Sequence, residues 1–73
     1  MDIKGKFSKL LRSIRKQKCL TIKELAAKSG LTERYLYFLE NGTYQPSLEK
    51  LYKLAEALKI DPKEIIERLN NSE

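Results

Sequence analysis

Six start and stop signals divide these 73 residues into segments with room only for helices of a few turns. Thr21-Ile22-Lys23-Glu24 reads as a capping box, in which the threonine hydroxyl accepts from the third helical amide while Glu24 reaches back. Ser29-Gly30 supplies a left-handed stop, Thr32 a new cap, and Asn41-Gly42 a second stop. Ser47 caps the next segment. Asp61-Pro62-Lys63-Glu64 opens the last one, with a cap, a proline at the first helical position and an acid at the third. Between these signals apolar residues recur at helical spacing and nowhere alternate convincingly at period two.

The spacing predicts a first helix over about residues 4–18, with Phe7, Leu11 and Ile14 as its inner stripe. A short second helix buries Leu25 and Ala26, Leu31 bridges the turn, and a third helix covers about residues 33–41. Tyr44-Gln45-Pro46 is an extended connection, because the residue before proline is pushed out of the helical region. The fourth helix carries Leu48, Leu51, Leu54, Ala55 and Leu58, and the fifth Ile65, Ile66 and Leu69, while residues 70–73 are expected to fray. The expectation is a single all-α domain over 1–73, five helices on one core at about 4–69. That core must be thin, since a chain of this size buries only roughly 60% of its unfolded surface.

Composition removes whole classes of function. The absence of histidine takes away the commonest general base and metal ligand. Cys19 is the one cysteine, which excludes an intramolecular disulfide and a thiolate-rich zinc site. A redox-sensing role for Cys19 is the alternative to a free thiol in a reducing, cytoplasmic setting. The longest apolar run, Tyr35 to Leu39, is too short to span a membrane, and Lys4-Gly5-Lys6 leads into no signal-peptide stretch. No glycine-rich phosphate loop or catalytic constellation is present, so neither an enzyme nor a cofactor or metal is expected. A small binding module remains.

The charge is uneven. Residues 1–37 hold ten basic and three acidic side chains, for +7, whereas residues 38–73 hold five and seven, for −2. The N-terminal half is either a solvated basic surface or a surface for a polyanion such as nucleic acid.

Two helices joined by Gly30-Leu31-Thr32, with Ala26 and Gly30 expected at the close contacts, make a helix-turn-helix arrangement. Leu36 and Leu39 must face inward, which turns Glu33, Arg34, Tyr37, Phe38 and Asn41 outward to meet base edges or a protein. From about Phe7 to Leu69 the chain resembles the Cro/lambda-repressor-type helix-turn-helix family, also called the Xre family. The matching pieces are Leu11-x-x-Ile14-Arg15, Leu25-Ala26, Gly30-Leu31-Thr32, Leu36-x-x-Leu39-Glu40-Asn41-Gly42, Pro46-Ser47-Leu48 and Leu54-Ala55-x-x-Leu58.

That resemblance implies a lambda-repressor-like fold and a sequence-specific regulator of transcription that binds double-stranded DNA, usually as a homodimer on a palindromic operator. It makes the helix after Thr32 the recognition helix, with Glu33, Arg34, Tyr37 and Phe38 at the base-reading positions. Arg34 can hold guanine through two hydrogen bonds, Glu33 can accept from cytosine, and Phe38 can pack on a thymine methyl. Thr21, Ile22, Lys23, Tyr35, Asn41, Thr43 and Tyr44 fall at phosphate-side positions, where helix-start amides favour an anion. Lys6 and Lys9 are further candidates. Arg15 and Glu40 match a buried structural ion pair of the family. The sequence departs from the pattern at Ile22, where glutamine is usual, and at Cys19 and Lys59, where glycine is common.

Tyr52, Ile66 and Leu69 are candidate dimer residues. By the same resemblance, small repressors of mobile elements, restriction controllers and antitoxins are the relevant kinds of regulator, and a partner protein is a possible source of control. The competing expectation keeps the scaffold and turns Tyr35, Tyr37, Phe38 and Tyr44 into an aromatic patch for another protein.

Overall fold

The computed structural model describes residues 3–71. Five helices are present among them: α1 (Ile3–Gln17), α2 (Ile22–Ser29), α3 (Glu33–Glu40), α4 (Leu48–Leu58) and α5 (Pro62–Asn71). The inner stripes meet in one core. Phe7, Leu11 and Ile14 of α1 face Leu25 and Ala26 of α2, Leu36 and Leu39 of α3, Leu51, Leu54, Ala55 and Leu58 of α4, and Ile65 of α5. α1 packs on α3 and α5, α2 on α3 and α4, and α4 on α5.

The caps form as local chemistry dictates. Thr21 Oγ1 accepts from the Glu24 amide at 3.0 Å, and the Glu24 carboxylate accepts from the Thr21 amide at 2.9 Å. Thr32 and Ser47 hydroxyls accept from Tyr35 and Lys50 amides, and Asp61 accepts from Lys63. The hydrogen bonds from Thr21 hold the Glu24 carboxyl below its ordinary range. A carboxyl depressed by folding stabilises the folded state above its unfolded pKa and loses that contribution as pH falls through the lower, folded value. A carbon-detected titration should therefore place the Glu24 midpoint below that of a free glutamate, and Thr21→Ala should move it back up.

α1 and α4 end alike, without glycine. Cys19 and Lys59 sit at φ 58° and 56°. The next amides, Leu20 and Ile60, reach back to the Arg15 and Ala55 carbonyls at 3.1 and 3.0 Å, the wider bond of a Schellman motif. Leu20 and Ile60 then pack on the core, which secures both turns. A left-handed non-glycine residue costs roughly 1–2 kcal/mol, while glycine loosens the unfolded chain by about 0.4–1 kcal/mol. Lys59→Gly should thus stabilise by up to about 1 kcal/mol, read as a higher urea midpoint at unchanged m-value.

Two sequence expectations are corrected. Leu48 is 63% exposed and does not belong to the buried stripe. It is the first residue of α4, held there by the Ser47 cap, and that first turn overhangs the core. Of the stretch expected to fray, Asn70 and Asn71 continue α5, since no glycine or proline interrupts it and Glu64 pairs with Arg68 one turn apart at 2.7 Å. Residues 72–73 of that stretch lie outside the described residues.

Candidate functional site

The α2–turn–α3 unit is fixed by three residues, Ser29, Gly30 and Thr32. Gly30 takes φ 74°, and its amide donates to the Ala26 carbonyl at 3.0 Å. A Cβ there would meet nothing within 4 Å, so Gly30 is required by backbone angle and not by a close helix contact as expected. The sequence marks Ser29 only as part of the Ser29-Gly30 stop, yet its buried hydroxyl donates to the Ala26 carbonyl at 3.4 Å and accepts from the Leu31 amide at 3.3 Å. A small hydroxyl residue just before a left-handed glycine is the signal that would have found it. Thr32 then starts α3, and Leu36 and Leu39 bury completely.

Behind α3 lies the ion pair. Arg15 Nε and Nη2 donate to the two Glu40 carboxylate oxygens at 2.6 and 3.0 Å, and Nη1 donates to the Leu20 carbonyl at 2.8 Å. Only 13% and 9% of the two side chains are exposed. One guanidinium therefore ties together the end of α1, the link to α2 and the last residue of α3. The hydrogen bond to Glu40 pushes the Arg15 pKa further up, so its charge is permanent. Planar two-pronged pairing of this kind fixes geometry as well as energy.

With Leu36 and Leu39 inward, the outer face of α3 is centred on Arg34 and Asn41, with Tyr37 to one side and Phe38 to the other. Glu33, Arg34, Tyr37 and Asn41 are exposed, but Phe38 is half-buried. The aromatic residues do not form the single patch expected from the sequence. Tyr44 folds back so that its ring stacks on Tyr35 at 6.1 Å and meets Phe38 edge-on at 5.1 Å. Arg34 lies 5.5 Å over the Phe38 ring and Lys50 lies 5.2 Å over Tyr35. Partial burial pushes the Tyr35 phenol pKa up. Tyr37 stands apart, 58% exposed, in a cleft with Ile22, Arg12 and Asn41.

The phosphate-side candidates divide. Thr21 and Lys23 are exposed at the start of α2, whereas Ile22 is half-buried against the core. Asn41 Oδ1 accepts from both the amide and the hydroxyl of Thr43, at 2.9 and 2.6 Å, which shapes the loop on an exposed residue. The Thr43 and Tyr44 amides also donate to the Phe38 carbonyl. Among the proposed dimer residues, Tyr52 and Ile66 are exposed, at 53% and 41%. Leu69 instead packs on the core and borders an apolar recess beside Phe7, Pro46 and Leu51, so it is not surplus to the core.

Comparison with known proteins gives a consistent picture. The helix-turn-helix family model matches residues 11–65. The HTH-type transcriptional regulator y4dJ of Sinorhizobium fredii is 35% identical over 66 residues, which cover 90% of this chain and 86% of that protein. The restriction-modification controller protein C.AhdI from Aeromonas hydrophila is 40% identical. It superposes with a TM-score of 0.82 over 85% of this chain and 94% of its own. The controller C.Esp1396I, solved as a tetramer in complex with its natural 35 base-pair operator, shares the fold with a TM-score of 0.88 at 24% identity. The match covers 97% of this chain and 93% of that one.

Proposed function

From the premise that this chain belongs to the helix-turn-helix family of DNA-binding transcriptional regulators, we propose that it acts as a repressor-like switch with α3 laid in the major groove of its operator. Its family works by binding, not by catalysis. The observation that carries the reading is the outward face of α3. Arg34, Tyr37 and Asn41 are exposed on a helix whose opposite side is wholly buried and whose end is clamped by Arg15. Any amphipathic helix buries one face; the Arg15 clamp at its end adds the rigidity that a reading head requires.

In this reading Glu33, Arg34, Tyr37 and Phe38 address bases. Thr21, Lys23, Asn41, Thr43 and Tyr44, with the backbone at Ile22 and the hydroxyl of Tyr35, address phosphates. The basic excess of residues 1–37 supports it, because cationic side chains release counterions when they meet phosphates. One eight-residue helix offers few base contacts, so two copies on a palindrome, joined through the exposed Tyr52 and Ile66, would supply the rest. The C.Esp1396I assembly on its operator is a precedent for such an oligomer. The setting is the cell interior, where DNA is reached.

Selection of bound duplexes from a random pool at physiological salt tests this directly. A palindromic motif with half-sites about one turn of DNA apart is the expected result. Enrichment of no motif, together with salt-insensitive binding, would sink it and favour a protein partner instead.

A further inference from the structure

The cleft between α2 and α3 is unusual in what stands at its mouth. Its volume is about 320 Å³, and it runs along the outer side of the Arg15–Glu40 pair. Ile22, the first residue of α2 and half-buried against the core, lines it together with the largely exposed Tyr37 and with Arg15 and Glu40. Arg12 from α1 and Asn41 from the end of α3 complete the lining. Ile22 and Tyr37 are its hydrocarbon and aromatic lining, Arg12 and Asn41 its cation and amide, and Arg15 and Glu40 are paired with each other. A branched aliphatic residue here offers no hydrogen bond to a phosphate or a base. It offers van der Waals surface in the same cleft as the Tyr37 ring.

We propose that Ile22 and Tyr37 together form a specificity-determining shelf for the C5-methyl group of a pyrimidine in the major groove, with Arg12 neutralising the adjoining phosphate. The inference rests on the DNA-binding reading above and makes Ile22 a base-reading residue, not merely a backbone at the phosphate. Three features converge on it. The major-groove edge of thymine carries one apolar group, the C5-methyl, and apolar side chains are what distinguish it. Tyr37 shares the outer face of α3 with Arg34 and Asn41, so a base edge reaching Arg34 brings its neighbour towards Tyr37. Arg12 lines the cleft with the sign of charge a phosphate requires, and Arg15 is already engaged with Glu40, which leaves Arg12 for that task.

Thymine and 5-methylcytosine present the same methyl group, and the experiment separates them. In the selected operator, each thymine is replaced in turn by deoxyuridine, and in a second series each cytosine by 5-methylcytosine. Binding is measured at fixed salt with the intact protein. One position per half-site should respond by about fourfold, the worth of one buried methyl. Loss in the first series assigns thymine, and gain in the second assigns 5-methylcytosine. Ile22→Ala and Tyr37→Ala should each shrink that response while leaving the other positions alone. Tyr37→Ala, on an exposed side chain, keeps the test valid if Ile22→Ala melts. No response at any position overturns the proposal, as does a response that survives both variants. Either result would leave salt-dependent operator binding, and with it the DNA-binding reading, intact. Absence of any salt-dependent duplex binding would instead remove that reading itself.

Discussion

Glu40→Ala should lower the free energy of unfolding by about 3–5 kcal/mol. The loss is large because the substitution strands the Arg15 guanidinium, 13% exposed, with only the Leu20 carbonyl as partner. Desolvating an unpaired charge costs more than the pair itself returns. For a chain of this length total stability is of the order of 4–11 kcal/mol, at about 0.05–0.15 kcal/mol per residue. The variant should therefore sit near the edge of folding at 37 °C. Arg15→Ala should cost less than Glu40→Ala only to the extent that Glu40, at the open end of α3, can turn towards water. Replacing both residues by apolar ones of similar volume should recover most of the stability. Urea titration of the two single variants and the double one closes the cycle. A loss under 1 kcal/mol in both singles would show that the pair exchanges freely with solvent.

The second large effect concerns salt. If two copies neutralise about 6–10 phosphates, affinity should fall by roughly 10³–10⁵ between 50 and 200 mM salt. Variants then separate by kind. Lys23→Ala should weaken all duplexes alike and flatten the log–log slope by about 1. Arg34→Ala should leave the slope nearly unchanged at non-cognate sites but cost about 1–3 kcal/mol at its own base pair, relaxing preference there alone. Arg34 is suited to that task because it is exposed on α3 and its guanidinium lies 5.5 Å over the Phe38 ring, which restrains the side chain. Equal loss on every duplex for Arg34→Ala would reassign it to the phosphates.

Much of this was legible in the sequence wherever the cause is local. Thr21, Thr32, Ser47 and Asp61 cap as read, because a hydroxyl or carboxylate two or three residues before an amide needs no tertiary help. The left-handed residues Cys19 and Lys59 stand where glycine is common in the family, so that resemblance marks both turns. Arg15 and Glu40, 25 residues apart, came from family resemblance alone, since no local pattern joins them. The same distance problem hid the Tyr44 fold-back. Its ring reaches Tyr35 and Phe38 only because Gly42 at φ 83° and the Asn41–Thr43 bonds reverse the chain. Leu48 was misplaced because periodicity says which side a residue faces but not where the neighbouring layer stops.

The three-way grip of Arg15 has a kinetic consequence. A recognition helix already held in place spends little backbone entropy on docking, so complex formation should be governed by charge steering and little else. Substitutions on the outer face of α3 would then leave arrival rates nearly constant and express themselves as residence time on the operator.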